Sequence, residues 1–341
     1  MSTANLKILF RTAGGRAPKK ELGMGHVYRC INLAHYLKSS QVHFLIEDYG
    51  GVKKILNKKK YHRISFLKKG INYKSDIRET LSYIKNNKID VLIIDKYKVP
   101  EKFVKAIHKH VKTVLISDLK IIDYPADLIV NGFIGYKNQI RRNEYGAKCL
   151  LGPKYQILNE KFEKKKKLDK KRYDLLITVG GFDEKNVIEL LLDQLAEFTS
   201  SLRVKIILGP ATIKSQNIKM LLKKYDKFID VVDKTNNMYQ EISSAKFGIC
   251  SGGITTYEFA KMKVPFAIIC QVKHQLITAK EWQRRNVALN LGFFTKEIEK
   301  NVVKLFRKLE LRESVYKINK KSILDGKGGQ RIANQILLMN K

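Results

Sequence analysis

The sequence predicts an α/β protein of two doubly wound domains facing a cleft, and three observations carry that expectation. Short β-rich runs alternate with amphipathic helical patterns through both halves of the chain. The alternation restarts after a lysine-rich stretch, Glu160–Arg172. Glycine-rich turns follow several apolar runs, at the strand ends where open parallel sheets receive ligands.

In the first half, strands are expected at Leu6–Phe10, Val42–Ile46, Val91–Ile94, Val114–Ile116 and Leu128–Val130. Helical patterns lie at Val27–Leu37, Ile77–Ile84 and Phe103–His110. In the first of these, Val27, Cys30, Ile31, Ala34 and Leu37 recur at helical spacing on one apolar face. The second half gives strands at Leu175–Val179, Val204–Leu208, Ile229–Val232, Phe247–Cys250 and Phe266–Cys270. Its helices are expected at Val187–Phe198, Ile218–Tyr225, Tyr257–Met262, Ala279–Asn286 and Val302–Leu309. A first domain over 1–152, a linker over 153–172 and a second domain over 173–341 follow from this plan. The last amphipathic segment, Arg331–Met339, is free to pack back on the first domain.

A chain of 341 residues accommodates two domains, and 44% hydrophobic content is ordinary for a folded protein. No run approaches the ~18 continuous apolar residues of a membrane span. Met1–Phe10 lacks the layout of a secretory leader, so a cytoplasmic location is expected. Cys30, Cys149, Cys250 and Cys270 lie far apart with no CxxC pair, which reads as buried reduced thiols. No metal or other cofactor is expected. The net charge of +35 comes mostly from scattered lysines, with short clusters at Lys58–Lys60, Lys164–Lys167 and Lys170–Lys171. No zinc finger, aromatic RNA-binding signature or helix-turn-helix pattern accompanies it, so no specific nucleic-acid partner is expected. Weak attraction to an anionic membrane face stays open.

The sharpest local feature is Gly23-Met24-Gly25-His26-Val27-Tyr28-Arg29, between the first strand and the first helix. Gly23 and Gly25 permit tight backbone turns and close approach of a substrate. His26 falls at the helix start, where the dipole favours a neutral imidazole able to accept a proton from water. Arg29, one turn on, shares a similar face and could steady a negative charge. A glycine turn followed by a histidine that merely caps fits the same spacing equally well.

The second feature is Ser251-Gly252-Gly253-Ile254-Thr255-Thr256-Tyr257-Glu258, directly after an apolar run. A strand, small residues and a helix start present backbone N–H groups to an anion. Ser251, Thr255 and Thr256 add hydroxyl donors, and Glu258 could accept from ribose hydroxyls. The competing reading is a tight turn with threonine caps and a surface glutamate; the glycine pair favours phosphate. Gly180-Gly181-Phe182-Asp183 is a second glycine-rich strand end. Neither GxGxxG nor GxxxxGK[ST] occurs, so no dinucleotide site or ATPase loop is indicated. Asp95-Lys96-Tyr97 and Ser117-Asp118 place polar groups at two further strand ends, where Asp95 and Asp118 either meet substrate or cap the next turn.

With these residues in hand, the chain resembles the family of UDP-2,4-diacetamido-2,4,6-trideoxy-β-L-altropyranose hydrolases of the pseudaminic acid pathway and related spore-coat polysaccharide-biosynthesis proteins. The matching segments are Gly23–Ala34, Ile93–Tyr97, Leu151–Tyr155, Thr178–Asp183 and Ser251–Glu258, with Gln275 and the closing Gly328–Ala333. The resemblance implies a glycosyltransferase-B-like fold of two Rossmann-like domains. It also implies hydrolysis, without a metal, of the anomeric bond to the diphosphate of a UDP-activated aminosugar. By the same resemblance His26 matches the base and Tyr97 a tyrosine near the sugar. Ser251, Gly252, Gly253, Glu258 and Gln275 match the nucleotide site, with Gly180 and Gly181 at its edge.

Two departures stand out. Arg11 is followed by Thr12-Ala13-Gly14-Gly15-Arg16 and a long loop to Leu22 where relatives carry an early aspartate, and Lys96 stands where a histidine is common. Both lie in the sugar-facing half and leave the particular sugar open. The sequence also admits an inverting glycosyltransferase using a UDP-sugar donor, or a non-catalytic basic binding protein for nucleic acid or anionic membrane.

Overall fold

The computed structural model describes residues 6–17, 20–57, 61–163, 172–181, 183, 185–198, 201–209, 215–233, 235–295, 297–313, 315 and 323–339. The lysine clusters at 58–60, 164–167 and 170–171, and Phe182, lie outside those residues. The chain divides into two compact units, one running to Glu160 and resuming at Gly326, the other Lys161–Asp325.

The strands of the first unit are β1 (Lys7–Ala17), β2 (Lys20–Gly23), β3 (Gln41–Tyr49), β4 (Arg63–Leu67), β5 (Val91–Asp95), β6 (Lys112–Ile116), β7 (Leu128–Asn131), β8 (Gln139–Arg142) and β9 (Lys148–Leu151). Its helices are α1 (Gly25–Ala34), α2 (Val52–Leu56), α3 (Tyr73–Asn87) and α4 (Glu101–His108). They form one sheet in the order β4-β3-β1-β5-β6-β7-β9-β8, with β2 on β1. All neighbours are parallel except β2 on β1 and β8 on β9. Alternate residues of the buried strands feed two cores. Phe10, Val91 and Ile93 pack under α1 on one face; Leu9, Leu92 and Ile94 pack under α3 and α4 on the other.

The second unit contains β10 (Tyr173–Thr178), α5 (Val187–Leu195), β11 (Val204–Ile207), α6 (Gln216–Lys224), β12 (Ile229–Val232), α7 (Met238–Ser243), β13 (Ala245–Ser251), α8 (Thr255–Met262), β14 (Phe266–Cys270), α9 (Gln275–Arg284), β15 (Leu289–Phe293) and α10 (Ile298–Glu310). Its six strands are all parallel, in the order β12-β11-β10-β13-β14-β15. That is the 3-2-1-4-5-6 order of a Rossmann sheet, whose direction of winding reverses between β10 and β13. In the first unit the same reversal falls between β1 and β5.

The last helix, α11 (Gly328–Leu338), belongs to the first unit, where Ile332, Ala333 and Ile336 enter the core below α1. A Cβ on Gly328 would stand 2.1 Å from the Gln156 carbonyl oxygen, and one on Gly329 would stand 2.4 Å from the Tyr36 ring. The closing glycine pair is therefore a packing requirement.

Three sequence expectations need correction. Residues 153–160 are no linker: Tyr155, Ile157 and Leu158 are buried within the first unit. The second domain stops at Asp325 rather than at the chain's end. The expected loop from Arg11 to Leu22 is instead strand, because β1 runs on to Ala17 and turns into β2. Small residues make that possible, since a Cβ on Gly14 would lie 2.5 Å from Val27 Cγ2 and Gly15 adopts a φ of +112°.

Candidate active site

The winding reversal of the first unit holds a hydrogen-bonded cluster at the carboxyl ends of β1 and β5. Gly23 takes a φ of +52°, which a side chain would oppose, and delivers the chain into α1. His26 Nδ1 lies 2.7 Å from Oδ1 of Asp95, the last residue of β5. A carboxylate can only accept, so Nδ1 carries the proton and Nε2 is left as the basic nitrogen. The His26 side chain retains 15% exposure, while that of Asp95 has none.

Arg29, one turn along α1, backs this pair. Its Nε reaches Asp95 Oδ2 at 2.7 Å, Nη2 reaches Asp95 Oδ1 at 2.6 Å, and Nη1 reaches Asp118 Oδ1 at 2.6 Å. Burial alone would weaken the guanidinium's hold on its proton. The charges of Asp118 and Asp95 overcome that and raise its pKa well above the ordinary value. Burial, with the charge of Asp95 adding to it, likewise raises the Cys30 thiol well above its usual range, and Sγ donates to Asp95 Oδ2 at 3.8 Å.

The expected roles of two residues change accordingly. The sequence lets Asp95 meet substrate or cap the next turn and lets Arg29 steady a negative charge; in the structure Asp95 has no exposed surface and Arg29 is committed to two carboxylates. Asp95 bonds His26 directly, and Arg29 bonds Asp95 from behind. Asp118 differs, with 55% of its side chain exposed beside the cluster. Tyr97, two residues beyond Asp95, is 38% exposed. Open space surrounds Gly25, where a Cβ would meet nothing within 4 Å. Lys98 and Leu119, next to Tyr97 and Asp118, hold left-handed φ values of +49° and +54°. Non-glycine residues rarely adopt that region, and such strain gathers near functional sites.

The opposite face of β5 carries a second charge cluster that sequence reasoning missed. Arg11, fully buried, donates to Asp76 Oδ1 at 2.8 Å and Glu47 Oε1 at 2.5 Å. Lys96 Nζ donates to Asp76 Oδ2 at 2.6 Å and Glu47 Oε1 at 3.0 Å. Burial would raise both carboxyls; the two cations overcome it and hold them below the usual range. Two cations and two anions thus neutralise one another beneath α3. The sequence signal was Lys96, standing where a histidine is common, and Arg11, but their partners lie 20 to 65 residues away.

In the second unit, the two glycine pairs follow the two strands that flank the winding reversal. Gly180, with a φ of +93°, and Gly181 follow β10; Gly252 and Gly253 follow β13. The Ser251 hydroxyl donates to the Val179 carbonyl oxygen, tying one turn to the other. Thr256 Oγ1 accepts from the buried Trp282 indole at 3.0 Å and donates to Gly253 O at 2.7 Å. Ser251 and Thr256 were expected to offer hydroxyls to an anion and instead brace the turns. Gln275 does the same, its Oε1 accepting from Gln271 N at 2.8 Å while its Cβ side blocks any side chain at Gly252. Gly253 is open, with nothing within 4 Å of a Cβ placed there, and Thr255 begins α8.

Glu258, one turn into α8, has its pKa pushed up to about 7 by burial, against a hydrogen bond from Thr255 that pulls it down. Asp183 caps α5, accepting from Val187 N and Ile188 N at 2.9 Å each. Among the described residues, no three His, Cys, Asp or Glu side chains gather so as to hold a metal ion. Nor is any described helix long and apolar enough to cross a membrane.

Residues 174–336 match the glycosyltransferase family 28 C-terminal domain. The chain is 29% identical over 269 residues to an uncharacterised protein of Methanocaldococcus jannaschii, covering 74% of this chain and 54% of that protein. The chain therefore spans about half the length of that relative. It is 28% identical to the spore coat polysaccharide biosynthesis protein SpsG of Bacillus subtilis, covering 92% and 93% of the two chains. It is 26% identical to the UDP-2,4-diacetamido-2,4,6-trideoxy-β-L-altropyranose hydrolase of Campylobacter jejuni, over 80% and 95%. Among solved structures, MurG of Acinetobacter baumannii aligns with a TM-score of 0.63 at 15% identity, covering 98% of this chain and all of that one. The MnaA–UDP structure from S. aureus aligns at 0.61 with 11% identity, over 98% and 97%. The fold is the glycosyltransferase-B type, two Rossmann-like units in one chain.

Proposed function

We propose, taking these relatives as the premise, that the chain hydrolyses a UDP-activated deoxyaminosugar to UDP and free sugar in nonulosonic acid or surface-glycan biosynthesis. The second unit would hold the nucleotide and the first would activate the water. One observation carries the reading: the 2.7 Å bond from His26 Nδ1 to the buried Asp95 carboxylate. It fixes the tautomer whose Nε2 can take a proton, as a general base requires.

In this scheme Nε2 removes a proton from water as the water oxygen bonds to the anomeric carbon. The bond from that carbon to the β-phosphate oxygen breaks, and UDP leaves with the electron pair. Asp95 stabilises the positive charge that forms on His26 and keeps the ring in place. With the imidazole neutral, His26, Arg29, Asp95 and Asp118 together carry one net negative charge. That suits the positive character that grows at a glycosyl carbon in the transition state. Asp118 and Tyr97, both exposed, are assigned to the sugar. The backbone amides of Gly180, Gly181 and Gly252 are assigned to the diphosphate, where charge increases as UDP departs, while the Gly253 amide donates to Ser251 O within its turn. Glu258 is assigned to the ribose. A cytoplasmic location fits a nucleotide-sugar substrate. The Campylobacter relative's name supports hydrolysis, and the UDP in the MnaA structure supports the nucleotide.

The match of 174–336 to a glycosyltransferase domain favours a second reading, transfer of the sugar to an acceptor. Mass spectrometry of products from a panel of UDP- and CMP-activated aminosugars separates the two. Hydrolysis predicts free sugar and UDP in water alone. Strict dependence on an added acceptor would replace hydrolysis by transfer, and no release of nucleotide under either condition would sink both.

A further inference from the structure

The residue after β14 is a buried glutamine to which the proposed reaction gives no role. Gln271 Nε2 donates to Val179 O at 3.3 Å and to Ser251 Oγ at 3.4 Å. Its Oε1 accepts from Lys185 N at 3.4 Å, and its backbone N donates to Gln275 Oε1. One side chain thus reaches the residue before Gly180–Gly181, the residue before Gly252–Gly253 and the loop entering α5. A carboxamide is suited to this, since it offers two donors and an acceptor in one plane. Here all three directions are used, and the group is 5% exposed.

Neighbouring backbone leaves the turns little room to drift. A Cβ on Gly209, after β11, would stand 2.1 Å from Gly180 O, and one on Gly252 would stand 2.7 Å from Gln275 Cβ. Donors for an anion act best when their geometry is set at folding rather than on binding. A diphosphate offers two phosphoryl groups at a fixed separation, so two such sets of donors held at that spacing can each take one.

We propose that Gln271 is a positioning residue that fixes the spacing of the two glycine turns, so that both grip one diphosphate. The proposal rests on the nucleotide reading above and adds to it a second tie between the turns, beside the direct bond from Ser251 to Val179 O.

The test is calorimetric titration of Gln271→Met and Gln271→Glu with UDP and with uridine. Gln271→Met keeps the bulk and removes every polar contact of the side chain; Gln271→Glu turns an acceptor toward Val179 O and Ser251 Oγ. The UDP Kd should rise by about tenfold or more, and the uridine Kd should stay within about twofold of the wild type. Unchanged UDP affinity, or equal losses for UDP and uridine, would overturn the proposal, because general loosening of the unit spares neither ligand. Should neither variant fold, hydrogen exchange on the wild-type protein decides. UDP should protect amides near 179–181 and near 251–254 with one midpoint, and protection of a single segment would overturn it. A wild-type protein that binds no UDP fails differently: the nucleotide reading falls, and Gln271's role with it.

Discussion

Asp95 holds His26 by a 2.7 Å hydrogen bond and holds Arg29 by two more, while exposing no surface of its own. The arrangement sorts the cluster into one group able to react and two that support it. Exposure makes the distinction: of the three, the imidazole alone keeps a nitrogen with no hydrogen bond to the described residues together with access to water. Arg29 keeps the carboxylate from standing as an isolated buried charge, which would cost several kcal/mol.

Replacing His26 by alanine should therefore abolish turnover, a loss on the order of 10²–10⁴-fold for removal of a general base. UDP affinity should stay within about twofold of wild type, because the nucleotide is assigned to residues of the other unit. Steady-state kinetics with parallel UDP titration checks both, and full turnover by the variant would end the mechanism.

Asp95→Asn tests the supporting role. The amide can donate to Nδ1 and stabilise the wrong tautomer, so kcat should fall by on the order of 10²–10⁴-fold with KM little changed. The same variant leaves Arg29 with one full carboxylate, so thermal melting should show a lower midpoint. A variant with normal kcat would mean that His26 does not need its partner.

How legible these clusters were depends on how local their signals are. Gly23–Arg29 could be read because the glycines, the histidine and the arginine fall within seven residues. Asp95 is visible as a polar strand end, but its partner His26 lies 69 residues away and only the fold brings the two together. The long strands under α1 and α3 were read from runs such as Val91–Ile94, which are buried on both faces. By contrast β4, half exposed at the sheet edge, and β8, exposed throughout, carry no apolar run to betray them. The extension of β1 was hidden by Gly14 and Gly15, which usually signal turns and here admit Val27 and the neighbouring strand. Gln271 gave no signal at all, because a lone glutamine after a strand has no spacing to match.

Lys96→Met should destabilise the first unit. Removing one cation leaves Glu47 and Asp76 facing a single guanidinium inside the protein, at a cost of about 3 kcal/mol. Urea denaturation measures it, and a double-mutant cycle with Asp76→Asn should recover part of the loss. No change in stability for Lys96→Met would show that the cluster is solvated and inert.

His43 predicts acid sensitivity. Burial, with the nearby charges of His62, Arg63 and Lys7, lowers its pKa from 6.5 to about 4, and its Nε2 has no hydrogen-bond partner among the described residues. The unfolded chain binds a proton through that window and the folded chain does not, so stability rises with pH there. The contribution is fully present above pH 6.5 and is lost as pH falls toward 4. In His43→Phe that loss should be missing. Parallel urea midpoints for variant and wild type from pH 7 to about pH 4.5 would count against a buried neutral imidazole.

Glu258 carries the opposite sign. Burial raises its pKa from 4.5 to about 7, so the folded protein keeps a proton that the unfolded chain gives up. Its stabilising contribution is present below pH 4.5 and is lost as pH rises through 7. Ligand binding should run the other way. If the carboxyl accepts from ribose hydroxyls, the ionised form is the better acceptor, and uridine should bind roughly fivefold tighter at pH 8 than at pH 6. That factor corresponds to the ~1 kcal/mol by which a charge-assisted hydrogen bond exceeds a neutral one. Uridine is the right probe because it lacks the phosphates, which titrate in the same range. Glu258→Gln should bind it equally at both pH values, and a wild-type protein that does so as well would remove Glu258 from the ribose.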